Sequence, residues 1–344
     1  MNPNRTRVAP RLRRVFAQPE HASLVVLVAM VVIAAILQRN FFAPTSLMLT
    51  IDALGPLILL TMGQAVVMVC GALDLSSGAA LSLYTCVLTW IMESGHPLTG
   101  VLALGVTIGV AVLVGVVNGI GAGYMRISSV VVTFATSFVW LGIALFIRPT
   151  PGGQSVNWFN AFFAYDSVHG MPKPLLTFGT VIPPVLQLVL LACLIWFLIS
   201  KTTVGRYIYA VGGGEDSAYR TGINTARTKT IAYVINALFI LLAALFFVGQ
   251  NQSGDARFGE PFTLQTIAAA VVGGISLTGG RGSVYSAIVG AVIIELVNKI
   301  IFFANIPYAY GTLIAGLIVI FAIGVSQLYT IYSQRSLAKR NAPQ

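Results

Sequence analysis

Apolar residues in this chain come in long unbroken runs, not in the strict alternation of a half-buried strand. Ten such runs can be marked, over residues 22–38, 51–70, 78–93, 98–124, 129–147, 180–200, 230–250, 263–278, 283–302 and 309–327. A helix of ~20 apolar residues spans the hydrocarbon of a bilayer. The pattern therefore predicts an all-α, polytopic membrane protein of about ten transmembrane helices. A single transmembrane domain is expected over 22–327, between a basic N-terminal segment, 1–21, and a tail, 328–344. Two of the ten runs are weaker than the rest. The turns 71–77 and 279–282 are short enough to lie partly inside the membrane. The first run follows Arg5, Arg7, Arg11, Arg13 and Arg14, as a signal peptide would, but it leads into Gln38-Arg39-Asn40-Phe41-Phe42 and no small-residue cleavage site. It reads as a retained helix.

The basic residues give an orientation. With the N-terminus inside and the runs alternating, the inner side holds Arg5, Arg7, Arg11, Arg13, Arg14, Arg126, Lys201, Arg206, Arg220, Arg227, Lys229, Arg281, Arg335, Lys339 and Arg340. The outer side holds Arg39, Arg148, Lys173, Arg257 and Lys299. This bias favours both termini in the cytoplasm. Asp52, Glu93, Asp166, Asp255 and Glu260 are placed outside with less weight. Composition agrees: 57% of the 344 residues are hydrophobic and 9% charged, against roughly 25% charged in an average soluble domain. A soluble enzyme and a disordered protein are thereby disfavoured. The net charge of +10 reads as membrane topology and not as nucleic-acid binding.

Few residues carry chemistry. Cys70, Cys86 and Cys193 lie in apolar runs without metal spacing, and His21, His96 and His169 are far apart. No catalytic or metal cluster is expected. Two acids are read as lying within or beside apolar runs, Asp74 and Glu295, and buried charge is costly in a membrane. Asp74 precedes Leu75-Ser76-Ser77-Gly78 at the start of a run. One reading is structural: Ser76 or Ser77 caps the helix and Asp74 favours its positive end. The other places Asp74 on a polar transport route. Glu295 lies four residues before Lys299, the favourable order for a helical ion pair. Gln64, Asn118, Thr133, Thr136 and Asn236 are uncharged polar residues inside apolar runs. They suit either helix–helix bonds or contact with a neutral, hydroxylated solute. Too few intramembrane acids are present for a proton-coupled carrier.

Three loops add detail. The outer loop 148–179 holds an aromatic run, Trp158–Tyr165, suited to a short interfacial helix or to a partner's surface. The segment 71–78, GALDLSSG, is echoed by 273–280, GGISLTGG, which hints at repeated architecture. Around the second, 273–283 lacks the spacing of a phosphate-binding loop, so any ATP must be held by another chain. The inner loop 201–229 contains Gly212-Gly213-Gly214, then Glu215 and Asp216, then Arg220 and Gly222. Acids at a start, a base near the end and a terminal glycine predict a helix of about two turns over 215–221. So short a helix must rest on other protein.

At this loop the chain resembles the membrane permeases of bacterial ATP-binding-cassette sugar importers, the ribose, xylose and arabinose group. Asp216-Ser217-Ala218 with Gly222 resembles their E-A-A-x-x-x-G segment, and Gly222-Ile223-Asn224 continues the match. Further pieces are Asp74-Leu75-Ser76 with Gly78, Asn118-Gly119, Thr133, Gly152-Gly153 and the stretch Ile267 to Gly282. The resemblance implies ten helices and a translocation pathway for a monosaccharide or similar neutral polyhydroxyl compound, in the bacterial inner membrane. It implies an ATPase-coupling loop at Glu215, Asp216, Ser217, Ala218, Arg220, Gly222 and Ile223. The implied partners are cytoplasmic ATPase subunits holding ATP and Mg, a periplasmic substrate-binding protein and a second permease copy, identical or homologous. The chain itself is expected to be no enzyme and to hold no cofactor. Thr263 and Gln265 stand where the family usually has two acids, and Ser129 where it often has Pro. An ion-coupled carrier and an integral membrane enzyme are the alternatives.

Overall fold

The structure, a computed structural model, describes residues 19–163 and 183–305 and the single positions 307, 310, 313, 316 and 317. The basic segment up to residue 18, residues 164–182, most of the tenth run and the tail 328–344 lie outside the described residues.

Every named element is helical. In chain order they are α1 (Pro19–Leu37), α2 (Pro44–Val69), α3 (Ser77–Met92), α4 (Pro97–Gly119), α5 (Ser129–Ile147), α6 (Asn157–Phe163), α7 (Pro184–Lys201), α8 (Thr203–Gly213), α9 (Glu215–Arg220), α10 (Thr225–Asn251), α11 (Phe262–Val272) and α12 (Ser286–Phe303). A π-helical turn, Ile120–Tyr124, extends α4. Proline starts α2, α4 and α7, where its missing N–H costs nothing. Asn224 caps α10 by accepting from the Arg227 N–H at 2.9 Å. Among the described residues, six helices are long and apolar enough to cross a membrane. They correspond to α2, α4, α5, α7, α10 and α12. Helix α10 is the central post and packs along α2, α3 and α4.

Three expected spans within the described residues are not among the six: the apolar part of α1, Val26–Leu37, and the helices α3 and α11. Helix α3 has 16 residues and α11 has 11. At ~1.5 Å per residue, α11 reaches about half of a ~30 Å hydrocarbon layer. The stretch 252–261 precedes it as irregular backbone, with Gly254 and Gly259 laid against α3. A Cβ on Gly259 would stand 1.9 Å from the Gly78 carbonyl oxygen, and one on Gly254 2.3 Å from Thr89 Oγ1. The Gly259 N–H is satisfied by Ser82 Oγ at 2.9 Å. Gly254, Ala256 and Gly259 are buried against protein, whereas Gln252, Arg257 and Glu260 are exposed.

One helix starts earlier than the run that marks it. Asp52 and Lys299, read as outer-side residues at the ends of the runs 51–70 and 283–302, lie inside α2 (Pro44–Val69) and α12 (Ser286–Phe303). Apolar residues on both sides of Asp52 extend the helix back to Pro44, where the proline provides its start.

The echo between 71–78 and 273–280 is physical. Helix α2 ends with Gly71 N–H on Met68 C=O (2.9 Å) and Ala72 N–H on Val67 C=O (3.1 Å). Helix α11 ends with Gly274 N–H on Val271 C=O (2.9 Å) and Ile275 N–H on Ala270 C=O (3.0 Å). This is the same two-bond glycine terminator, with φ of +82° at Gly71 and +95° at Gly274. The turns that follow also match. Asp74 Oδ1 accepts from the Ser76 N–H at 2.7 Å, and Ser276 Oγ accepts from the Thr278 N–H at 3.2 Å.

Candidate functional site

Asp74, 2% exposed, sits in the turn between α2 and α3. Three donors converge on its carboxylate: the Ser76 N–H (2.7 Å), the Ser76 hydroxyl (2.6 Å) and the Asn236 amide of α10 (2.7 Å). Ser76 occupies the N-cap position of α3, but its hydroxyl turns to Asp74 and makes no cap bond. The Ser76 cap is therefore absent: its hydroxyl proton goes to Asp74 and its oxygen accepts from Asn118 instead of from a backbone N–H of α3. The Asn118 amide of α4 donates to Ser76 Oγ at 2.8 Å, and Thr136 of α5 donates to Asn118 Oδ1 at 2.7 Å. Thr133 Oγ1 accepts from the Leu75 N–H at 2.9 Å. The Gln64 amide of α2 pairs with the backbone N–H and C=O of Asp74, both at 3.2 Å. Polar residues dispersed along the sequence from Gln64 to Asn236 thus form one network around a single turn. Sequence reasoning missed two members. Tyr233 donates to Leu73 C=O at 2.9 Å, and Ser129 Oγ accepts from the Leu73 N–H at 3.2 Å. Helical spacing was the available signal: Tyr233 shares a face with Asn236, and Ser129 shares one with Thr133 and Thr136.

The second constellation begins at α9. Its first turn holds Glu215 and Asp216 and its last holds Arg220, as the charge order requires. Gly222, at φ +87°, ends it with the third glycine terminator of the fold: Gly222 N–H on Tyr219 C=O (3.0 Å) and Ile223 N–H on Ala218 C=O (3.1 Å). Ala218 is buried, whereas Asp216, Ser217 and Arg220 are exposed. Glu215 pairs with Lys229 of α10 at 2.6 Å. Immediately before α9, the chain touches both echoed turns. Gly280 N–H bonds the Val69 carbonyl at 2.9 Å, and a Cβ on Gly212 would stand 1.8 Å from that carbonyl oxygen. Gly279 faces Gly71, where a Cβ would lie 2.6 Å from the Gly71 Cα. Three glycine turns meet backbone to backbone at one point. Beside them a cleft of about 610 Å³ opens between α9 and the α4–α5 connection, lined by Arg126, Ser129, Glu215, Asp216, Tyr219 and Lys229 among others.

Glu295 and Lys299 do not form the expected ion pair. The Lys299 ammonium turns to Thr50 Oγ1 of α2 and lies 5.7 Å from the Phe41 ring centre, while Glu295 Oε2 accepts from Asn298 at 3.3 Å. Lys299 takes a partner on another helix, and Glu295 one on its own. The aromatic run forms α6, with Tyr165 outside the described residues. Phe159 and Phe163 are buried, and Trp158 donates to Pro97 C=O at 2.9 Å.

Residues 47–323 match the family described as "Branched-chain amino acid transport system / permease component". The chain is 29% identical over 301 residues to the autoinducer 2 import system permease protein LsrC of Escherichia coli O9:H4, covering 88% of this chain and 84% of that one. It is 26% identical over 308 residues to the ribose import permease protein RbsC of Escherichia coli K12, covering 88% and 92%. It is 29% identical over 298 residues to RbsC of Bacillus subtilis 168, covering 86% and 88%. No solved structure matches the chain.

Proposed function

This chain belongs to the branched-chain amino acid transport system / permease component family, and on that premise we propose that its cargo is a small neutral polyhydroxyl compound, a monosaccharide or a molecule like it. It is the transmembrane permease subunit of an ATP-binding-cassette importer and performs no covalent chemistry. The cargo reading is carried by the similarity, over 88% of the chain, to permeases named for ribose and autoinducer 2 import.

In the proposed arrangement two permease copies, identical or homologous, stand in the bacterial inner membrane with their termini in the cytoplasm. ATPase subunits holding ATP and Mg bind the inner face at Glu215, Asp216, Ser217, Ala218, Arg220, Gly222 and Ile223. A periplasmic binding protein delivers cargo at the opposite end, where loop 148–179 emerges. Alternating access follows from moving α9. What supports that role is its connection: Glu215–Lys229 ties it to the central post, and Gly212 ties it to the turns that end α2 and α11. A push on α9 therefore reaches those turns through backbone contact and not through flexible side chains. Asp74, Gln64, Ser76, Asn118, Thr133, Thr136 and Asn236 then serve as a rigid joint, in preference to a wet route. Support for that assignment is the burial of all but the half-buried Thr136, and their mutual bonding.

Gly222→Arg tests the docking role. It forces a side chain into left-handed backbone at an exposed site and adds bulk to the docking face. Ribose uptake and co-purification of the ATPase should be lost while the permease still inserts in the membrane. Normal uptake and co-purification would refute it. Separately, uptake of labelled ribose and other polyols by cells carrying the whole importer tests the cargo class, and failure with every polyol sinks it.

A further inference from the structure

At the end of the bundle away from α9, a cavity of about 580 Å³ lies between α2, α10, α11 and α12. That volume falls within the range of small-molecule sites, ~300–1,000 Å³. Its polar lining includes Asp52, Gln250, Gln265, Glu295 and Asn298. Its apolar lining includes Phe246, Phe258 and Phe262, with Phe258 stacked on Phe247 at 3.5 Å between ring centres.

Two carboxylates beside aromatic rings, inside membrane helices, require an explanation. Asp52 Oδ1 is shielded from solvent and has no hydrogen-bond partner among the described residues. Pro56, four residues on, has no N–H to give the Asp52 carbonyl. The Gln265 side chain makes no hydrogen bond among the described residues, and Lys299 is turned away toward Thr50. The wall thus presents acceptors on Asp52 and Glu295, amides that donate and accept on Gln265 and Asn298, and ring faces. A simple cation would need acceptors alone. A polyol needs both donors and acceptors for its hydroxyls and an apolar face for its C–H groups.

We propose that this cavity is a polyol-binding station of the permease, in which Asp52, Glu295, Gln265 and Asn298 hydrogen-bond hydroxyls and Phe258 or Phe262 stacks against the carbon face. The inference rests on the cargo reading above and places the cargo away from the Asp74 network. The test uses the whole importer and labelled ribose as probe. Gln265→Leu and Asp52→Leu should each lower initial uptake about tenfold or more, the effect of losing one or two hydrogen bonds to the cargo. Membrane abundance and the amount of co-purifying ATPase should stay unchanged. Uptake within about twofold of the native importer overturns the proposal. If either variant fails to reach the membrane, Gln265→Cys decides, in a chain with Cys193→Ser. Excess ribose should slow its labelling by a water-soluble maleimide, and unslowed labelling overturns the proposal. A native importer that takes up a cationic solute and no polyol overturns the cargo reading as well. Normal polyol uptake by the variants overturns this site alone.

Discussion

Asp74 is satisfied by three donors and not by a cation, so its neighbours set the cost of replacing it. Asp74→Ala leaves the Ser76 N–H, the Ser76 hydroxyl and the Asn236 amide without their acceptor in a site closed to water. Each stranded buried donor costs ~1–3 kcal/mol, so a loss of about 3 kcal/mol or more is expected. Asp74→Asn is gentler. It keeps an acceptor for Ser76 and turns an NH₂ toward Asn236, whose Oδ1 has no partner among the described residues and can rotate to meet it. The melting temperature and yield of detergent-purified protein should fall in the order native, Asn, Ala. Equal values for Ala and native would remove Asp74 from any structural role. The residue types of this network were legible in the sequence, since a polar side chain in an apolar run must find a partner. The partners were not. Asn118 and Asn236 are 118 residues apart in sequence, and nothing local says that one turn will collect both. Glu295 shows the converse error: the i, i+4 rule suggested Lys299, but Thr50 and Asn298 took the two side chains.

At the scale of elements, glycine placement determines which helices stop and which turns touch. Gly71, Gly222 and Gly274 each end a helix at positive φ, and the short α9 was legible from its acids, its arginine and its glycine. The meeting of three glycine turns was not, because approach of one backbone to another leaves no polarity pattern. Gly212 and Gly213 make a matched pair for testing it. A Cβ on Gly212 would lie 1.8 Å from the Val69 carbonyl oxygen, while one on Gly213 meets nothing within 4 Å. Neither residue has positive φ. Gly213→Ala should therefore leave uptake near native. Gly212→Ala must separate α8 from the end of α2, and overpacking of this kind costs ~1–3 kcal/mol. It should cut uptake sharply with the ATPase still bound, because α9 itself is untouched. Equal uptake by the two variants would show that the clasp does not transmit movement. The same backbone logic explains why the run 263–278 overstates its helix. Hydropathy continues through 273–278, but Gly273 and Gly274 end α11.

Over the whole molecule, the two ends of the bundle differ in charge. Arg126, Arg220, Arg227, Lys229 and Arg281 surround α9 and the glycine clasp, while Arg39, Arg148 and Arg257 lie toward the end that carries Ser94 and α6. In the proposed orientation, retention of Lys and Arg on the cytoplasmic side places α9 inside and the proposed polyol cavity outside, which is the order an importer needs. Cys70 and Cys86 are buried, so Cys193→Ser gives a chain with little background for thiol labelling. Ser217 in α9 and Ser94 after α3 are both exposed positions, and each can be replaced by cysteine in that background. A membrane-impermeant maleimide should label the Ser94→Cys variant in intact spheroplasts and the Ser217→Cys variant only in inverted vesicles. Labelling of both from one side would break the assignment of ends. Labelling from opposite sides in the reversed sense would place α9 outside, where no ATP-driven subunit could reach it, and the import mechanism would fall with the topology.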